Sequence, residues 1–101
     1  MSGVNQPYAY NYETVAASQT AQVLGGTGAI GDYLHRLIIT DVTGSTGTVT
    51  ILDGSTSIPV MTSNSGTGVY NIECNMRSKT GPWKVTTGAG ATVIAVGIFS
   101  A

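Results

Sequence analysis

Ionisable side chains are scarce in this chain. Asp, Glu, Lys and Arg together make up 9% of its 101 residues, against roughly 25% in an average soluble domain. Its polar surface must therefore come from Thr, Ser, Asn and Gly. Such a surface repels copies of itself only weakly, which suits a protein largely covered by neighbours. The net charge is −1, and Arg36, Arg77, Lys79 and Lys84 are the whole basic set. A phosphate binder clusters Lys and Arg, so no nucleic-acid partner is expected.

Other absences narrow the chemistry. Cys74 is the single cysteine, so no disulfide closes within one chain. His35 is the single histidine and is far from Cys74 in sequence, while Asp32, Asp41 and Asp53 are scattered. No metal site is expected from that set. A Ser–His–acid arrangement would need His35 as its base, and no G-x-S-x-G elbow accompanies it. Neither a catalytic residue nor a cofactor is expected, and the chain reads as a non-enzyme. No stretch is long and apolar enough to span a bilayer. Residues 1–20 have neither a basic start nor an apolar run, so no signal peptide is expected and synthesis in a reducing cytosol follows.

What the chain does have is alternation. Residues 33–40 (YLHRLIIT) are apolar on both faces, as a central strand would be. Residues 48–52 place Val49 and Ile51 inward and Thr48 and Thr50 outward, and Asp53-Gly54 follows as a two-residue hairpin turn. The return strand spans 57–61, and Pro59 assigns it to an edge because proline cannot donate to a ladder. Along 69–76, Tyr70, Ile72, Cys74 and Met76 face one way and Asn71, Glu73 and Asn75 the other. Gly81-Pro82 makes a turn, after which Trp83 and Val85 point inward with Lys84 and Thr86 outward. Residues 92–99 (TVIAVGIF) close the core.

Glycine-rich turns at 43–47, 53–55, 64–68 and 88–90 separate these runs, and no helical period or internal repeat competes with them. The expected fold class is all-β: an antiparallel β-sandwich or jelly-roll-like domain over residues 20–101, with an extended N-terminal arm over 1–19. In that arm Tyr8, Tyr10 and Tyr12 alternate with Ala9 and Asn11. In an extended segment the three rings line one side. Tyrosine offers large contact area at low entropic cost. Tyr8, Tyr10, Tyr12 and the strip around Val15 are thus the candidate partner-binding residues. Removing residues 2–19 is expected to abolish partner binding and leave a folded domain.

Two features invite chemistry and lose to plainer roles. Gly26-Thr27-Gly28-Ala29-Ile30-Gly31 fits G-x-G-x-x-G, but a dinucleotide site needs a long helix next and a parallel sheet around it. Residues 32–36 merge instead into the β-like run, so the glycines are read as a turning link between the arm and the first core strand. Trp83 as a sugar platform would have to be exposed, whereas its alternation with Lys84 points it inward.

From Asp32 onward, three runs carry a resemblance: DYLHRLIIT, then VTILDGS, then YNIECNMRSKTGPWKVTTGAGATVIAVGIF. They resemble small proteins encoded among the virion genes of tailed bacteriophages and prophages, and the preceding QVLGGTGAIGD looks like the linker of that group. The resemblance implies a capsid decoration (cement) protein, made in the host cytoplasm and carried on the virion surface. It implies the major capsid protein as partner, and a homo-oligomer, trimer or dimer, seated at local threefold or twofold points. The chain lacks the acidic tail and fibre repeats of a shaft. A tail, neck or head-fibre-anchoring adaptor and a carbohydrate-binding module are the other readings.

Overall fold

The computed structural model describes residues 10–42, 47–62 and 66–101. Among them are eight β-strands and no helix. They are β1 (Asn11–Val15), β2 (Gln22–Val23), β3 (Tyr33–Asp41), β4 (Val49–Asp53), β5 (Thr56–Met61), β6 (Gly68–Arg77), β7 (Trp83–Thr87) and β8 (Ala91–Ile98). All pairings are antiparallel, and they build two four-stranded sheets in the orders β1-β8-β3-β6 and β2-β7-β4-β5.

The order has a simple origin. Strands β1 and β8, β2 and β7, β3 and β6, and β4 and β5 form four successive antiparallel pairs, as in one long folded ribbon whose tip is the β4–β5 hairpin. Wrapping that ribbon on itself adds the β3–β8 and β4–β7 pairings. The result is a jelly roll within the β-sandwich class. Every connection other than β4–β5 passes from one sheet to the other, including the 88–90 turn between β7 and β8. A ribbon wound this way buries the inner faces of both sheets against each other.

The inward residues follow the period of two. Leu34, Leu37, Ile39, Val93 and Ala95 on the first sheet meet Val49, Ile51, Trp83 and Val85 on the second, all essentially inaccessible. Trp83 donates its indole N–H to the Asp32 carbonyl at 2.9 Å, which satisfies the one polar atom of the largest core side chain. The central strand β3 carries an irregularity between Leu34 and Arg36 against both neighbours. His35 is the extra residue relative to β8, and Asn75 takes a positive φ of 52° on the β6 side. This bulge explains why Leu34 and Leu37, three apart, share one face. Beside it Gly97 passes so close to the Tyr33 carbonyl that any side chain there would collide with it.

Two boundaries differ from the sequence expectation. Asp53 pairs with Thr56, so the hairpin loop is Gly54-Ser55, one residue later than Asp53-Gly54. Gly54 supplies the positive φ of 62° that this tight loop needs. The arm is also shorter than residues 1–19, because Asn11–Val15 is a strand of the first sheet paired with β8. Val15 sits in the core at 0% exposure, so it is unable to reach a partner. Beyond it, Gln19 and Ala21 donate backbone N–H groups to the Thr87 and Thr86 hydroxyls. Removing residues 2–19 therefore takes away part of the sandwich as well as the arm.

Candidate functional site

The two outer faces of the sandwich are unlike. On the β1-β8-β3-β6 sheet, the outward rows read Tyr12–Val96–Arg36–Glu73, then Thr14–Ile94–Ile38–Asn71, then Thr92–Thr40–Val69. Tyr12, Val69 and Ile98 on this face are strongly exposed, at 70%, 69% and 49%. Ile38, Ile94 and Val96 between them are half-buried. The outward rows of the other sheet read Thr86–Thr50–Pro59 and Val23–Lys84–Leu52–Ser57. None of the strongly exposed large apolar residues lies there. A contiguous apolar patch on one face marks an interaction surface.

Arg36 stands inside that patch, directly across from Glu73 in register. Its Nε is buried without a hydrogen-bond partner. Its register neighbours are Val96 and Glu73, and a guanidinium nitrogen covered without an acceptor costs free energy.

At the bulge end of the same face, Tyr10, Tyr33 and His35 form an aromatic cluster. Tyr10 stacks on His35 with ring centroids 4.5 Å apart, and lies 5.7 Å from Tyr33. The Tyr33 hydroxyl donates to Asn75 Oδ1 at 2.8 Å and lies 3.3 Å from His35 Nδ1. Desolvation and the neighbouring Tyr10 push the Tyr33 phenol above its usual range, and Arg77 offsets part of the rise. Of the residues expected to touch a partner, Tyr12 is thus exposed and available. Tyr10 is half-buried against His35, Val15 is internal, and Tyr8 lies outside the described residues. Arg36, Ile38, Ile94 and Val96, which share this outer face with Tyr12, were not singled out from the sequence. Runs apolar on both faces read as buried strands, and only the half-buried and exposed state of their outward residues marks that side as accessible.

A second feature is a cleft of about 800 Å³ at the Arg77 end of β6. Tyr33, Ile58, Met76 and Trp83 line its apolar part, with Asn75, Arg77 and Lys79 at the polar part. Its rim is held by Asp53 at the end of β4. The backbone N–H groups of Lys79 and Thr80 donate to the Asp53 carboxylate at 2.9–3.0 Å, and the Thr80 hydroxyl donates to the Asp53 carbonyl at 2.5 Å. Burial alone would raise the Asp53 carboxyl, but the N–H groups of Thr80, Lys79 and Gly81 outweigh it and hold the carboxyl below its usual range. Cys74 lies farther along the inner face of β6, half-buried and free, and burial pushes its thiol up.

The glycine motif is a packed loop. The N–H of Gly28 donates to the Ser100 carbonyl, and that of Gly31 to the Ser78 carbonyl and hydroxyl. The Ala29 N–H donates to Asp32 Oδ2, and Ser100 donates to both Asp32 oxygens. Gly28 has a φ of +65° and lies against the Pro82 side chain. These amides are spent on the chain itself, and a strand follows where a nucleotide fold needs a helix. Arg77 and Lys79 flank the turn after β6, whereas Lys84 belongs to β7. Among the described residues no three His, Cys, Asp or Glu side chains gather in one place, and no helix is long and apolar enough to cross a membrane. No protein-family model matches the chain, and neither a curated protein nor a solved structure matches it.

Proposed function

We propose that this chain is a virion structural protein that decorates the head of a tailed bacteriophage, binding the major capsid protein across joints between capsomers. The observation that carries this reading is the asymmetry of the sandwich. One outer face presents Tyr12, Ile38, Val69, Ile94, Val96 and Ile98 around the covered Arg36. The other is mostly Thr, Ser, Lys and Pro. The first face docks on the shell and the second meets solvent. The resemblance of residues 32–99 to virion proteins and the low charge of the chain support the same reading.

The mechanism is passive and needs neither cofactor nor turnover. Each copy buries apolar surface across a seam, and its contacts resist separation of the subunits beneath. Repetition over a closed lattice multiplies a modest interaction. Within this reading the protein is made in the host cytoplasm, acts on the capsid surface as a homo-oligomer, and is not an enzyme. A tail, neck or fibre-anchoring adaptor would use the same face in about a dozen copies, where a shell protein occupies hundreds of sites. A carbohydrate module draws less support, since Trp83 is internal and Tyr10 already stacks on His35.

Co-sedimentation with shells assembled from the cognate major capsid protein tests the proposal. Saturable binding by the wild type, lost in Ile94→Lys and weakened at least tenfold in Arg36→Ala, is the supporting result. Equal binding by wild type and Ile94→Lys, with both folded, removes this face from the account. No binding by the wild type overturns the shell reading.

A further inference from the structure

The two lateral seams of the sandwich are finished differently. At the β1–β2 side, Glu13 accepts the Gln22 side-chain N–H and the Gly25 backbone N–H, each at 2.7 Å, and this closes the gap between sheets. At the β5–β6 side the seam is apolar. Ile72, Cys74 and Met76 of β6 face the interior but remain only partly buried, with Ile58 and Val60 of β5 also packed at the margin of the core. Pro59 blunts the β5 edge, because proline cannot donate to an added strand. Strand β6 ends its sheet too, and among the described residues it has a strand on one side only. It contains neither proline nor lysine, the usual guards of a long edge. Its register with β3 is unbroken from Val69 to Glu73, and the bulge at Asn75 follows.

The cleft lies where that edge ends. Trp83, Tyr33, Ile58 and Met76 form its apolar lining, and Arg77 and Lys79 stand beside them. The turn after β6 explains why two cations meet here. Ser78 is buried, with its N–H donating to the Asp32 carbonyl at 3.0 Å and its hydroxyl to the Ala29 carbonyl at 3.1 Å. Its two neighbours, Arg77 and Lys79, are left exposed. Asp53 is the one carboxylate among the lining residues, and the Lys79 and Thr80 N–H groups occupy it. Among the described residues, the one bond from either cationic side chain runs from Arg77 Nη1 to the Gly31 carbonyl, at 3.5 Å. Two of the chain's four basic side chains thus line an apolar cleft with no carboxylate of the described residues paired to them.

We infer that this seam binds an extended acidic-apolar peptide of another protein, which adds as a strand along β6 and places a Glu or Asp side chain between Arg77 and Lys79. Its alternate apolar side chains cover Ile72 and Cys74. Main-chain bonds along the edge provide affinity, the alternating side chains provide register, and the carboxylate fixes which end enters the cleft. Seven residues extend about 23 Å, enough to run from Val69 into the cleft. A small organic anion would fill the cleft but leave the β6 edge uncovered. The seam is a flank of the sandwich, separate from the outer face that docks on a shell, so the two readings stand or fall independently.

The probe is the peptide acetyl-TVTVTET-amide, titrated into the isotope-labelled full chain and followed by amide NMR and hydrogen exchange. Saturable shifts along β6 and the 77–80 turn, with slower exchange of the β6 amides, are the expected result. Arg77→Ala/Lys79→Ala should weaken binding about tenfold or more, as should Lys in place of Glu in the peptide. Lys84→Ala, on the outward row of the other sheet, should bind as the wild type does. Hexanoate, an apolar anion without a peptide backbone, should leave β6 exchange unchanged. No saturable shift with the Glu peptide overturns the inference, as does equal binding of the Lys peptide or of the Arg77→Ala/Lys79→Ala variant. Hexanoate binding as tightly as the peptide would assign the cleft to small anions, and β6 protection that rises with protein concentration alone would assign the edge to a second copy; either result overturns it as well.

Discussion

Replacing Asp53 with Ala removes the acceptor shared by the Lys79 and Thr80 backbone N–H groups, both within 3.0 Å of the carboxylate. A hydrogen bond to a charged group contributes about 1.5–3 kcal/mol. Lys79 and Thr80 are themselves exposed, so water takes over part of the loss, and the expected cost is about 2–3 kcal/mol. For a chain of this length about 1 kcal/mol corresponds to ~5 °C in Tm, which puts the drop at about 10–15 °C. Asp53→Asn keeps one acceptor oxygen and should lose about half as much.

The effect has a pH signature. The folded-state carboxyl is held below its ordinary 3.8, so the folded state binds its proton less readily than the unfolded state does. The stabilisation is fully present above the ordinary value and fades as pH falls below it through the folded-state value. Thermal unfolding followed by circular dichroism at pH 7 and near pH 2 measures this. The gap between wild type and Asp53→Ala should be wide at neutral pH and narrow in acid. A drop below about 3 °C at pH 7, or a gap independent of pH, refutes the assignment of Asp53 as the clamp of the 79–80 turn.

Further outcomes follow from the same packing. Deleting residues 2–19 removes β1 and the buried Val15 and should cost at least ~3 kcal/mol, read by differential scanning calorimetry. Trp83→Phe loses the bond to the Asp32 carbonyl and leaves a void, a cost of about 2–3 kcal/mol readable by urea denaturation. Gly28→Val forces a branched side chain onto Pro82 at a φ of +65° and should lower the urea midpoint, with a cost of at least ~2 kcal/mol. Alkylation of Cys74 at pH 8 should be slow in the folded protein and fast in urea, because burial raises its thiol; equal rates would place the thiol in open solvent.

Much of the fold was legible because a period of two survives where one face is buried. Strands β3, β4, β5 and β6, the inward Trp83 and Val85, and the edge position of Pro59 all follow from alternation and proline chemistry. The first two strands were not legible. In Asn11–Val15 only Val15 is apolar and fully buried, and Glu13 faces inward to bind Gln22 and Gly25, a role that polarity hides. Gln22–Val23 is too short to show any period. The register of the hairpin moved by one residue because Asp53 is needed in the strand to hold the turn after β6, a constraint 26 residues away.

The candidate site was legible only in part. Tyr12 stands out as an exposed aromatic in a polar stretch, and it is exposed. Ile38, Ile94 and Val96 read as core, because an outward apolar row and an inward one look alike in a strand that is apolar on both sides. Distinguishing them requires the tertiary arrangement, in which no described strand lies over the outer side of the β1-β8-β3-β6 sheet.

Electron cryomicroscopy of shells saturated with the protein tests the central claim most directly. The sandwich should sit over joints between capsomers with Tyr12, Ile94 and Val96 against the shell and Thr50, Thr86 and Lys84 toward solvent. Density with the Thr50 face buried against the shell, or confined to the neck or tail, would contradict it.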